Sequence, residues 1–371
     1  MASPVDQPEA ITSSPSLSAT SHAPATSHVL PSTSHAPPAT YPALPSTSAL
    51  SAPHVPDHFV LIKKAGAGQN GHVFYCIPAI TVSSLFPPHQ EPVTAEQVIG
   101  SQELRASLRR SIVAVKTTKI GSKQDFDQAA NEIYWTSELA QDARNAGLLK
   151  HFPVLLSIGL NDFAFNRHWM SMTAIEGCTL EKFMEAAEGR DGGVPAEFVL
   201  HVSVQLTEAM SFLFNHEILH GDLHFGNIML NAFEATMGFP NIMIIDFGAA
   251  ERFNSKALNK EKDWETADVW KILFSLARLV PYQCEVIAEE WVDFCKSIVE
   301  ARDGETPLEE MKDQLSCFAT NAIETSSDET KKTVKSLVVK AANAAGTLIS
   351  DIEVMEAVHN FMNCHQGYHA L

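Results

Sequence analysis

His220-Gly221-Asp222-Leu223-His224-Phe225-Gly226-Asn227, with Ile242-Met243-Ile244-Ile245-Asp246-Phe247-Gly248 shortly after it, is the stretch on which the reading of this chain turns. Asp222 and Asn227 stand five positions apart on a single turn, and Asp246 closes an apolar run of strand length. Taken singly, each piece also fits a surface turn carrying a lone acid. The order of further pieces on the N-terminal side decides against that.

Gly66-Ala67-Gly68-Gln69-Asn70-Gly71-His72-Val73 fits G-x-G-x-x-G-x-V between two strand-like stretches, His58–Lys64 and Val73–Ile77. Glycines there let backbone amides approach a polyphosphate without a Cβ in the way. A dinucleotide site would need a helix directly after the glycines and an acid about twenty residues on. Here Val73-Phe74-Tyr75-Cys76 continues as strand, so the choice lies between a phosphate-covering loop and a plain hairpin turn. Val113-Ala114-Val115-Lys116 then places a lysine in an apolar strand, where an unpaired charge would be costly. Glu132, on a helix expected over Asp125–Ala146, is its natural partner, with Glu138 the competing choice.

Glycine loop, strand lysine, His-Gly-Asp-Leu loop and Asp-Phe-Gly, in this order, resemble the protein kinase superfamily over about residues 58–280. The resemblance implies an α+β, bilobal fold: a β-rich N-lobe over about 57–172 and a helical C-lobe over about 176–371. It also implies ATP and Mg2+ as cofactors. Gly66, Gly68 and Gly71 would cover the phosphates, and Lys116, paired with Glu132, would reach the α- and β-phosphates. Val73, Ala114 and Met229 would sandwich the base. Met172 would stand at the back of its pocket, with Thr173, Ala174 and Ile175 offering backbone hydrogen bonds. Asp222 would orient the attacking hydroxyl and accept its proton. Asn227 and Asp246 would hold magnesium, which prefers hard oxygen ligands and keeps several waters. Asp268-Val269-Trp270 resembles the start of the buried helix whose Asp braces the catalytic loop.

Two departures bear on the substrate. Gly221 stands where many protein kinases carry an Arg that clamps a phosphorylated activation loop, and no Ala-Pro-Glu follows Asp246, with Asp268 only 22 positions on. His224 replaces the usual lysine of serine/threonine kinases. It is either a cation for the γ-phosphate or a hydrogen-bonder within the loop. His-Gly-Asp-Leu-His is similar to the loop of aminoglycoside and choline phosphotransferases, and Asp-Leu-His-x-Gly-Asn also resembles the haspin-like kinases. The leading expectation is a divergent protein serine/threonine kinase acting on an unidentified protein. A small-molecule phosphotransferase and a pseudokinase scaffold are the alternatives.

Composition is consistent with this. Front strands and back helices read as α+β lobes, not a doubly wound sheet. With 44 acids against 26 Lys and Arg, the formal charge of −18 argues against nucleic acid or anionic lipid as a primary partner. The six cysteines are scattered without a C-x-x-C pair and read as reduced thiols. No apolar run suggests a membrane span, and nothing before Lys63 resembles a targeting segment. A cytoplasmic address is the default, with nuclear entry undetermined. Residues 1–56, rich in Ser, Thr, Ala, Pro and His with TSHAP and PSTS each occurring twice, are expected to be a disordered tail. Residues 78–110 read as an insertion between strands, ending in a short helix. Residues 281–371 read as helices closing the large lobe, with an apolar stripe at Trp291, Val292, Phe294, Cys295 and Ile298.

Overall fold

The front of the chain forms a five-stranded antiparallel sheet. Its strands are β1 (Phe59–Gly68), β2 (Gly71–Pro78), β3 (Val113–Lys119), β4 (Leu155–Asp162) and β5 (Arg167–Thr173), in the order β1-β2-β3-β5-β4. The computed structural model describes residues 55–68, 71–87, 101–119, 122–162, 167–188, 193–253, 259–281, 288–302 and 308–366. Apart from Val55 and Pro56, the Ser/Thr/Pro-rich tail lies outside the described residues, as do Gln69 and Asn70 of the glycine loop.

Between β2 and β3 the insertion supplies α1 (Ala79–Leu85) and α2 (Gln102–Arg110); residues 88–100 lie outside the description. Ser101 caps α2 by accepting from the Leu104 N–H at 3.3 Å. Helix α3 (Lys123–Ala146) follows β3, and its ends are written in the sequence. Ser122 and Asp125 form a reciprocal capping box, and Gly147, at φ 75°, ends the helix in the left-handed conformation.

The back lobe is built on α5 (Ala196–Asn215), which follows the short strand β6 (Gly177–Thr179) and α4 (Leu180–Ala187). Nearly every side chain of α5 is buried, so it lacks the one-sided stripe of a surface helix. After β7 (Ile218–Leu219) comes a hairpin of β8 (Ile228–Thr236) and β9 (Phe239–Ile244), paired Ile228 to Ile244 and Met229 to Met243. The two-residue strand β10 (Glu251–Arg252) returns to pair with β7. Four helices come next: α6 (Asn259–Ala277), α7 (Ala288–Arg302), α8 (Leu308–Thr325) and α9 (Asp328–Ala345). They join the large-lobe core through residues such as Val269, Phe294, Leu315 and Val338.

Two expectations are corrected here. The last helix, α10 (Asp351–Gln366), does not close the large lobe. Its Val354, Met355, Ala357 and Val358 are buried with Val60, Ile77, Leu108 and Ile112, so it belongs to the front lobe, against β1 and α2. In the stripe on α7, Phe294 and Ile298 are core residues, whereas Val292 is 63 % exposed. Its neighbours Trp291 and Cys295 pack only at the core's edge.

Candidate active site

The β3 register sets the upper wall of the site. Val73 pairs with Lys116 and Tyr75 with Ala114 on one side, while Ala114 faces Met172 on the other. Val73, Tyr75, Ala114 and Lys116 therefore share one face of the sheet. Gly66 and Gly68 have open space where a Cβ would stand, whereas a Cβ on Gly71 would lie 2.1 Å from the Thr117 carbonyl oxygen. The first two leave room for a ligand. Gly71 is required by the sheet itself.

Lys116 Nζ lies 2.6 Å from Glu132 Oε1 and 3.3 Å from Asp246 Oδ1. Burial is the largest influence on the pair, lowering the lysine and raising the glutamic acid. Attraction from Glu132 and Asp246 more than offsets it for Lys116, which stays above its ordinary value and hence charged. Glu138 is exposed on the same helix and takes no part.

Helix α3 is also fastened on its other flank. Asn131 Nδ2 donates to the carbonyls of Gly248 at 3.0 Å and Ala250 at 2.7 Å, and Trp135 Nε1 donates to Ala250 at 2.8 Å. The Arg252 guanidinium lies over the Trp135 ring at 5.5 Å. These contacts clamp the backbone just beyond Asp246, whose φ of 66° places it in the left-handed region. Sequence reading missed both residues. The available signal was an Asn in mid-helix, where its side chain usually competes with helical hydrogen bonding.

The loop from His220 to Asn227 is held by its own polar groups. His220 Nε2 donates to the Ile245 carbonyl at 3.0 Å, and its Nδ1 accepts the Asp222 N–H at 3.3 Å. Burial depresses its pKa, which suits this neutral ring with one donor and one acceptor. Asn227 Nδ2 donates to the Asp222 carbonyl at 2.9 Å. The antiparallel pair Ile228–Ile244 sets Asn227 beside the end of the strand that leads to Asp246. Asp222 itself projects outward, its side chain 62 % exposed. His224 Nδ1 accepts the Gly226 N–H at 3.0 Å, leaving Nε2 as the ring's donor, 3.8 Å from Asp222 Oδ2.

The brace under this loop is not Asp268. That residue faces solvent and pairs with Lys271 at 2.8 Å. One helical turn earlier, buried Glu265 uses Oε1 to accept the N–H groups of His220 at 2.7 Å and Gly221 at 2.9 Å. Burial pushes its carboxyl up to about 7, although those two donors pull it down. The Asp-Val-Trp likeness pointed to the right helix and the wrong turn. Gly221 has φ 77°, and a Cβ there would lie 2.3 Å from the Ala249 carbonyl oxygen, so this backbone has no room for an Arg at this position.

Below the sheet, Ile175, Met229 and Met243 are buried as a small apolar cluster, with Ile245 against it. Thr173, Ala174 and Ile175 lie in the segment joining the lobes, while Ala174 packs toward the front-lobe core. Among the described residues no cluster of three or more His, Cys, Asp or Glu is arranged to hold a metal ion. Asp246 and Asn227 present one carboxylate and one amide, a hard-oxygen set that fits magnesium when phosphate oxygens complete it. Cys76, Cys178, Cys295, Cys317 and Cys364 are free thiols.

A sheet lobe above a helical lobe, with a lysine-carboxylate bridge and a polar loop at their junction, defines the kinase fold. Residues 102–267 match the family model of the protein kinase domain, which supports membership of the protein kinase superfamily. The glycine loop precedes the matched residues, so its place rests on the β1–β2 hairpin. None of the curated proteins matches the chain significantly. Among the described residues no helix is long and apolar enough to cross a membrane.

Proposed function

We propose that this chain is an ATP- and magnesium-dependent protein serine/threonine kinase, cytoplasmic, whose active arrangement needs no phosphate on the segment after Asp-Phe-Gly. The observation that carries the reading is the contact of Lys116 with both Glu132 and Asp246, which couples β3, α3 and the metal carboxylate in one network. Lys116 binds the α- and β-phosphates under the glycine loop, while Val73, Ala114 and Met229 hold the base and Met172 backs the pocket. Magnesium, held by Asp246 and Asn227, would neutralise charge on the phosphates. Asp222 accepts the proton of the acceptor hydroxyl as its oxygen bonds to the γ-phosphorus and the bond to the β-phosphate oxygen breaks, releasing ADP. His224 Nε2–H stands beside that carboxylate and can donate to the transferring phosphoryl group. Clamping of residues 248–250 by Asn131 and Trp135 supports independence from loop phosphorylation.

The open surroundings of Asp222, with Gly221 in place of an anchoring Arg, also suit a small alcohol as acceptor. Incubation with labelled ATP, magnesium, a basic model protein and a panel of small alcohols separates the two. Label on serine or threonine of the protein, lost in Asp222→Asn, is the expected result. Label on alcohols alone would replace the protein acceptor. Nucleotide binding without transfer would make the chain a scaffold. Phosphatase-treated enzyme should keep its rate; loss of turnover traced to a site between Gly248 and Asp268 would overturn the proposed independence.

A further inference from the structure

Ala174, Ile175 and Glu176, which join the two lobes, belong to no helix or strand, although the Glu176 carbonyl accepts the Ala232 N–H at 2.9 Å next to the β6–β8 pairing. Side chains of the front lobe and the segment before the last helix hold them further. Tyr75 of β2 donates its hydroxyl to the Ile175 carbonyl at 2.6 Å. Arg109, at the end of α2, places Nη1 3.0 Å from both carboxylate oxygens of Glu176. The Ile349 N–H reaches Glu176 Oε2 at 3.2 Å, and the Thr347 hydroxyl donates to the Gly177 carbonyl.

Arg109 is the centre of this arrangement. Its Nε donates to Asp351 Oδ1 at 2.8 Å, in the first turn of α10, and its Nη2 donates to the Ile349 carbonyl. A planar guanidinium can serve two carboxylates and a carbonyl at once, which an ammonium on a flexible stem does poorly. Lys63 on β1 adds a second tie, to Glu353 Oε1 at 2.9 Å and to the Leu348 carbonyl. Beneath these ties Ile349, Val354, Met355 and Val358 are buried against the front lobe. The insertion and the last helix thus form one unit whose polar edge grips the linker.

We propose that Arg109 is a positioning residue for nucleotide: acting through Glu176, with residues 347–366 as its outer brace, it fixes the backbone of 173–177 where that backbone hydrogen-bonds the purine. The proposal rests on the ATP reading above. It assigns a task to the insertion and to the last helix, neither of which touches the phosphates or the catalytic loop. Loss of the grip should weaken contacts to the base and spare contacts to the phosphates.

The test uses the full chain and compares wild type with Arg109→Ala for binding of MgATP, binding of magnesium tripolyphosphate, and amide hydrogen exchange at 173–177. Arg109→Ala should weaken MgATP about tenfold, the loss of one charged hydrogen-bonding group. It should leave tripolyphosphate within about twofold and speed exchange in the linker. Equal weakening of both ligands would mean general damage to the front lobe and would overturn the assignment, as would unchanged MgATP affinity. If Arg109→Ala does not fold, the isosteric Glu176→Gln carries the same expectation. Wild-type protein that bound neither ligand would refute the ATP reading itself; the grip on the linker would then be judged by exchange alone, and unchanged exchange would refute it.

Discussion

Lys116 and Glu132 are a buried pair whose value to the fold and whose value to activity can be pulled apart. Removing one partner strands the other charge, so Lys116→Met should cost about 3 kcal/mol in urea denaturation. Lys116→Met combined with Glu132→Leu should recover most of that stability and remain without transferase activity. If the double variant were as unstable as the single, the pair would matter to the fold for reasons other than charge. Glu265 has the opposite character, a carboxyl raised above its unfolded value by burial. The folded state therefore holds a proton that the unfolded state gives up between about pH 4.5 and 7, and stability from this residue falls as pH rises through about 7. Glu265→Gln should flatten this dependence between pH 5 and 8, as followed by thermal unfolding. An equal slope in both proteins would assign the effect to other groups. At this scale the sequence was informative where a buried charge called for a partner, as with Lys116 and Glu132. It misled at Asp268, because a carboxylate one turn away on the same helix reaches the same amides.

Within single elements, backbone geometry decides which substitutions are tolerated. Gly221 combines a positive φ with a missing 2.3 Å contact, so Gly221→Ala should cost at least about 2 kcal/mol and displace Asp222. Wild-type rate and melting temperature in that variant would show that the loop can relax around a Cβ. Helix α3 carries Glu132 toward β3 and Asn131 with Trp135 toward residues 248–250. Asn131→Ala removes a donor from the Gly248 and Ala250 carbonyls, the second of which keeps Trp135, and should lower kcat about tenfold or more with a smaller change in KM for ATP, since it loosens the Asp246 segment and leaves the proposed pocket for the base intact. A change confined to KM would mean that the clamp acts on nucleotide binding instead. The bounds of α3 were legible because a capping box and a terminal glycine mark them. The clamp was not, because hydrogen bonds to carbonyls more than a hundred residues away leave no local pattern.

Across the whole molecule, the division into sheet lobe and helical lobe followed from composition and element order, while the assignment of the last helix did not. An amphipathic helix near position 355 announces a buried face but not the surface that receives it. Leu108 and Ile112 of the insertion region complete that surface, and they too read locally as unremarkable apolar residues. The pairing of Lys63 with Glu353 closes a separation of 290 positions. Chains are synthesised from the N-terminus, and early segments fold as soon as their partners exist. Here the front lobe leaves the ribosome before the helical lobe, while the helix that completes it comes after. Its β1 and β2 face must wait uncovered while the helical lobe is made, so a message truncated before codon 350 would yield a nascent chain with an exposed apolar front, a natural client for chaperones and proteases.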